Sequence, residues 1–180
     1  MKRLALITLL FAATLVKVHG QKIALKSGFQ VLGSVEGRAY SGGLLEIEGK
    51  KNNHFSIYTR VGYSTQSENI VLGVPVQYQL FNIGTGLKYY FSEVFEGVHF
   101  KGGLFYASEY VDYNIEETRF FGPGQSPSFE TQQYSGLDVG MGYSTMIDKI
   151  YLGFDFGLGY NFFNTDDGFI GFSTQVGYRF

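Results

Sequence analysis

The sequence predicts an all-β protein: an eight-stranded antiparallel up-and-down transmembrane β-barrel with a polar, filled lumen. Three observations carry this expectation. In residues 169–180, Ile170, Phe172, Thr174, Val176, Tyr178 and Phe180 share one parity, and Gly171, Ser173, Gln175, Gly177 and Arg179 share the other. Strand side chains point to opposite faces in turn, so one face is apolar and the other small, polar or charged. The same contrast recurs along most of the chain, with charges on the less apolar face. A water-soluble barrel would turn its apolar face inward; here the charges share the interior, and the apolar face requires lipid. After residue 20 no stretch is long and apolar enough to span a bilayer as a helix, so any crossing is made by strands.

The strands follow in order. Residues 23–35 place Ile23, Leu25, Phe29, Val31 and Val35 on one face and Lys26, Gln30 and Ser34 on the other. Residues 41–49 place Leu45 and Ile47 outward and Glu46 and Glu48 inward. Residues 54–64 set Phe55, Ile57, Thr59, Val61 and Tyr63 against His54, Ser56, Tyr58, Arg60 and Gly62. Residues 81–91 set Phe81, Ile83, Thr85, Leu87, Tyr89 and Phe91 against Asn82, Gly84, Gly86, Lys88 and Tyr90. The fifth strand, 98–110, is the least regular: Val98, Phe100, Leu104 and Tyr106 point out, and Phe105 joins His99, Lys101 and Gly103 inside. Residues 133–145 oppose Leu137, Val139, Met141 and Tyr143 to Asp138, Gly140, Gly142 and Ser144. Residues 150–162 are the most regular, with Ile150, Leu152, Phe154, Phe156, Leu158, Tyr160 and Phe162 facing away from Asp155 and three glycines. Strands of about 9–11 residues suffice to cross a bilayer.

The connections 50–53, 92–97 and 148–149 are tight, whereas 66–80 and 111–132 are long. Short turns at one end and long loops at the other, with an even strand count, are the habit of bacterial outer-membrane barrels. All three prolines, Pro75, Pro123 and Pro127, fall in the long connections, as their exclusion from central strands requires. Ile70, Leu72, Val74, Val76, Tyr78 and Leu80 also alternate, and the parity of the apolar residues flips at Leu80-Phe81. The expectation is an extension of the fourth strand above the membrane with a bulge at the flip. A ten-stranded barrel is the alternative, if residues 111–117 hold a further strand.

Residues 1–20 read as a secretory signal peptide: Lys2 and Arg3, an apolar run from Leu4 to Val16, and a cleavage site after Gly20. The mature domain is then 21–180. Removing Lys2, Arg3 and Lys17 takes the formal net charge from −2 to −5, which offers no basic patch for nucleic acid. The absence of Cys excludes a disulfide scaffold, a thiolate metal site and a lipid-modified N-terminal cysteine.

The inward charges Lys26, Arg60, Lys88, Lys101 and Arg179 against Glu46, Glu48, Asp138 and Asp155 form the candidate lumen network. An eight-stranded barrel has an interior that side chains fill, so the simplest reading is a salt-bridged plug. His54 and His99 start the third and fifth strands at one rim, within reach of each other or of a shared metal. Two histidines without an HxxxH-type spacing are a weak metal signal, and neither metal nor cofactor is expected. A lipid-modifying enzyme would need a Ser-His set near the outer rim, and neither histidine lies there. Tyr63, Tyr89, Tyr106, Tyr143, Tyr160 and Tyr178, with Phe91, Phe162 and Phe180, keep the outward parity near strand ends and read as aromatic girdles. On the 111–132 connection, Phe120, Phe121 and Phe129 are contact candidates; packing on the barrel rim is the equal alternative. Gly122-Pro123-Gly124 lacks the strand-to-helix context of a nucleotide loop.

The terminal Tyr178-Arg179-Phe180 resembles the C-terminal aromatic signature of bacterial outer-membrane barrels, with Gln175 where that signature usually has glycine. Residues 84–91, 97–110 and 136–160 look like the repeated Gly/aromatic strands of small eight-stranded barrels, the OmpA-membrane-domain and OmpX-like architecture. The resemblance covers nearly all of 21–180 and is a pattern rather than a motif. It implies the outer membrane of a Gram-negative bacterium, insertion by the barrel-assembly machinery with Tyr178 and Phe180 as the signal, and no particular ligand. The function expected is structural or surface-interactive, through long outer loops, as a non-enzymatic monomer in contact with outer-membrane lipid. The rivals are a narrow pore or small-molecule conduit, a lipid-active barrel enzyme, and a soluble lipocalin-like carrier.

Overall fold

The computed structural model describes residues 22–34, 37–70, 74–113, 131–162 and 168–180. The predicted signal peptide and Phe120, Phe121 and Phe129 lie outside them. The strands are β1 (Ile23–Ser34), β2 (Ala39–Lys50), β3 (Phe55–Ile70), β4 (Val74–Tyr90), β5 (Gly97–Tyr113), β6 (Thr131–Ile147), β7 (Ile150–Asn161) and β8 (Gly168–Arg179). Each pairs antiparallel with the next, and β1 pairs with β8 to close the barrel. Closure satisfies the backbone of every strand by a neighbour, the condition for crossing a bilayer without helices. The chain reaches β1 and leaves β8 at the same end, called here the terminal end; the opposite end is the loop end.

Val35 lies outside the described residues; the other residues assigned outward in the sequence are outward. Leu25, Phe29, Leu45, Leu87, Leu104, Leu158 and Val176 are exposed, as are the residues read as girdles. Phe55, Tyr89, Phe91, Tyr143 and Tyr178 ring the terminal end, and Tyr63, Phe81, Tyr106 and Tyr160 the other. Between the two bands, Phe81 to Tyr89 covers roughly 20 Å of height at ~3.3 Å per residue and ~40° of tilt. That is close to the ~25 Å apolar band of outer-membrane barrels.

The parity flip is not a bulge. The register of β3 with β4 runs without interruption from Phe55↔Tyr89 through Tyr63↔Phe81 and Ser64↔Leu80 to Ile70↔Val74. Leu80 keeps the inward parity of Asn82 and is 1% exposed, whereas Phe81 is 38% exposed. What changes at this height is the surroundings. Beyond the upper aromatic band, Thr65, Ser67, Gln77, Gln79, Ser108 and Gln133 point out, while Val76, Tyr78, Leu80, Ala107, Val111 and Tyr134 are buried inside. The projecting part follows the soluble rule, apolar in and polar out, and the part between the bands follows the inverse. The 66–80 segment is therefore mostly the hairpin of β3 and β4, and the described strands close a ring of eight rather than the ten-stranded alternative. β3 to β6 run 16 or 17 residues, against 12 for β1, β2, β7 and β8, so this projection belongs to one side of the barrel.

Candidate functional site

Several of the large inward side chains in the middle of the lumen have a glycine beside them on a neighbouring strand. Arg60 faces Gly84, Tyr58 faces Gly86, Lys101 faces Gly140, His99 faces Gly142 and Lys26 faces Gly177. Gly142 has no room for more: a Cβ there would come within 2.4 Å of Asp155 Oδ1 and 2.7 Å of His99 Nε2.

Two groups of charges result. Nearer the terminal end, Lys26 pairs with Glu46 at 3.1 Å and with Glu48 more closely still. Lys88 Nζ lies 2.7 Å from Glu46 Oε1, 3.4 Å from Glu48 Oε2 and 3.5 Å from Asp155 Oδ2. Tyr90 and Ser56 donate to Glu48. Asp155 also accepts from His99 Nε2 at 2.6 Å and Gln175 Nε2 at 2.9 Å. Nearer the loop end, Asp138 Oδ2 accepts from Arg60 at 2.7 Å, Lys101 at 3.3 Å and Tyr58 at 3.3 Å. Lys26 and Lys88 are 0% exposed, and the carboxylates that meet them offset the cost of burying their charges.

Apolar layers cover this polar core at both ends. At the terminal end, Ala24, Tyr90, Val94, Phe95 and Tyr151 form a buried cluster. Phe95 comes from the β4–β5 turn with φ 78°, a conformation that costs a non-glycine residue, and its burial under Lys26 holds it there: the ammonium is 5.7 Å from the Phe95 ring and 3.8 Å from that of Tyr151. At the loop end, Tyr40, Val76, Tyr78, Leu80, Ala107, Val111 and Tyr134 pack with Leu32, Phe105 and Phe169. The irregularity of the fifth strand is thereby explained: Phe105 points inward because it is part of this layer. Between that layer and Asp138 lies a cavity of about 50 Å³ lined by Gln30, Arg60, Asn82, Lys101 and Phe105 among others. It accommodates a few waters.

Of the predicted network, Lys26, Glu46, Glu48, Arg60, Lys88, Lys101, Asp138 and Asp155 come together in the lumen. Arg179 does not. It ends β8 at the rim, half-buried, and donates to the backbone carbonyl of Asp148 at 3.2 Å; inward parity has no enclosed interior to point into at the last strand residue. The histidines are also apart. His54 is exposed in the β2–β3 turn and bonds the Tyr90 carbonyl through Nδ1 at 3.0 Å, while His99 is buried against Asp155. No group of three metal-ligating side chains occurs among the described residues. Tyr178 and Phe180 point outward at the terminal end with ring centroids 5.1 Å apart, and Phe180 is 71% exposed.

Sequence reading missed a third ionic centre. Glu109 is buried within the loop-end layer and accepts from Tyr40 at 2.5 Å, Tyr134 at 2.8 Å and Arg38 at 3.2 Å. Its signal was available: Glu109 continues the inward parity of His99, Lys101 and Phe105.

A closed eight-stranded antiparallel barrel, apolar outside and filled with paired charges, has the architecture of the small outer-membrane barrel proteins. The chain belongs to the family described as protein of unknown function DUF3575, whose model matches residues 5–173. No curated protein sequence matches it. Among solved structures, Ail, the attachment invasion locus protein of Yersinia pestis, in complex with the heparin analogue sucrose octasulfate, is similar with TM-score 0.63 and 13% identity over 89% of this chain and 99% of that one. A major outer membrane protein from Thermus thermophilus has TM-score 0.62 and 14% identity, covering 90% and 100%. Neisserial surface protein A has TM-score 0.51 and 16% identity, covering 89% and 97%. At these identities the likeness is one of fold.

Proposed function

We propose that the chain is an integral outer-membrane barrel, exported through a cleaved signal peptide, whose role is structural or surface-interactive rather than catalytic or conductive. One observation carries this: a continuous apolar belt surrounds a lumen whose charges are paired and capped by apolar layers at both ends. Such an outside needs lipid, and such an inside offers a solute no path. The terminal end then faces the periplasm, and Tyr178 and Phe180 on β8 serve the barrel-assembly machinery as its recognition signal. The loop end faces outward, and the 111–132 connection, with Phe120, Phe121 and Phe129, is the contact candidate. The protein works as a monomer, without cofactor, enclosed by outer-membrane lipid.

The test is the washed outer-membrane fraction run on a gel unboiled and boiled, followed by planar-bilayer recording. The expected result is a band that shifts on heating and a bilayer that stays sealed. Recovery in the soluble wash would exchange inside for outside and point to a lipocalin-like carrier. Discrete conductance steps would favour the narrow pore.

The heparin analogue in the Ail structure does not suit this loop end. Its connections contain Glu36, Glu116, Glu117, Glu130, Asp166 and Asp167 against Arg38 and Arg119, and Arg38 is engaged by Glu109. Like charges repel a polyanion. The folded protein is therefore expected in the flow-through of a heparin column at physiological salt; retention there would overturn the charge argument.

A further inference from the structure

One arc of the terminal end is basic. Lys149 stands in the β6–β7 turn, Arg179 ends β8, Lys22 precedes β1, Lys50 ends β2 and Lys51 follows it. Barrel closure makes these neighbours: Arg179 N donates to Lys149 O at 2.8 Å, and Lys50 N donates to Lys22 O at 2.9 Å. Lys22, Lys51 and Lys149 are exposed, and Lys50 and Arg179 are half-buried. None of the four lysines makes an ion pair with another described residue. Among the described residues the acid on this arc is Asp148, while Glu93 and Glu96 sit across the mouth on the β4–β5 turn.

The arc borders the apolar belt directly. Leu25, Ile147, Ile150, Tyr178 and Phe180 are exposed beside it, and Lys149 Nζ lies 5.9 Å from the centroid of the Tyr178 ring. Aromatic rings of this kind mark the headgroup level, and lysine lays its stem on apolar surface while its ammonium reaches the polar layer. The lysines thus stand at headgroup depth, with Asp148 as the nearby acid and no ion pair to another described residue. Basic clusters beside a membrane surface attract anionic lipid.

We propose that this arc binds the phosphate headgroups of anionic phospholipid in the leaflet at the terminal end. The proposal rests on the reading that the belt is embedded in lipid, which the heat-shift gel tests separately. The experiment is native mass spectrometry of the folded protein released from detergent containing equal phosphatidylglycerol and phosphatidylethanolamine. The wild type is expected to retain phosphatidylglycerol preferentially. The combined Lys22→Gln, Lys50→Gln, Lys51→Gln, Lys149→Gln variant is expected to lose that preference, at about fivefold in adduct ratio per lysine. The matching set of Lys→Arg changes should keep it, which separates charge from any disturbance of the rim. A heat-shifting wild type with no phosphatidylglycerol preference would overturn the proposal and leave the membrane reading standing. Undiminished preference in the glutamine variant would overturn it as well, by assigning the lipid to another surface.

Discussion

Lys88→Ala is expected to lower the stability of the folded barrel by about 3–5 kcal/mol, the cost of breaking a buried ionic cluster by removing one partner. Lys88 is the residue on which the lower group converges: its ammonium meets Glu46, Glu48 and Asp155. Without it, three buried carboxylates share Lys26, His99 and a few hydroxyl and amide donors. Lys88→Met preserves most of the volume and should cost nearly as much, which would assign the loss to charge rather than to a cavity. Arg60→Ala should cost less, because Asp138 keeps Lys101 and Tyr58. The measurement is the denaturant midpoint of protein refolded into detergent, followed by the gel shift. Adding Glu46→Gln to Lys88→Met should recover part of the loss. Equal midpoints for wild type and Lys88→Ala would mean that the lumen is hydrated enough to solvate these groups, and the plug reading would fall.

The fold was legible because a period-two pattern leaves little freedom. Once Phe154, Phe156 and Leu158 are placed on one face, Asp155 and Gly157 must take the other, and the same logic repeats in strand after strand. Errors arose where the rule linking parity to environment ceased to hold. Val76, Tyr78 and Leu80 were set apart from Asn82 and Lys88 because they are apolar, although they share their face. A pattern reports which residues share a face, and the surroundings decide what that face meets; above the aromatic band the surroundings reverse. Arg179 shows the same limit at the other rim. Pairing across the lumen was not legible at all. Arg60 stands beside Glu46 in the register of β2 and β3, yet its carboxylate partner is Asp138 on β6. That choice depends on the tilt and stagger of the closed barrel, which no single strand encodes.

Phe156→Arg is expected to destabilise the barrel by about 2–4 kcal/mol, the range for an arginine facing lipid near the midplane. The position is outward and exposed, flanked by Met141 on β6 and Phe172 on β8, so an arginine there touches no lumen charge and finds no protein acceptor among these side chains. Leu158→Arg should cost less. Leu158 is the next outward residue before Tyr160 of the upper aromatic band, and a guanidinium can reach the headgroups from there. Thr65→Arg, beyond that band on the projecting hairpin, should be nearly neutral, because its outward face meets water. This depth profile separates lipid from water as the outer solvent in a way that one substitution cannot. In a protein whose exterior was hydrated, arginine at all three outward sites would be tolerated alike. Denaturant midpoints for the three variants in one lipid composition decide the matter: a graded loss from Thr65 through Leu158 to Phe156 supports the inside-out assignment, and a flat profile would sink it.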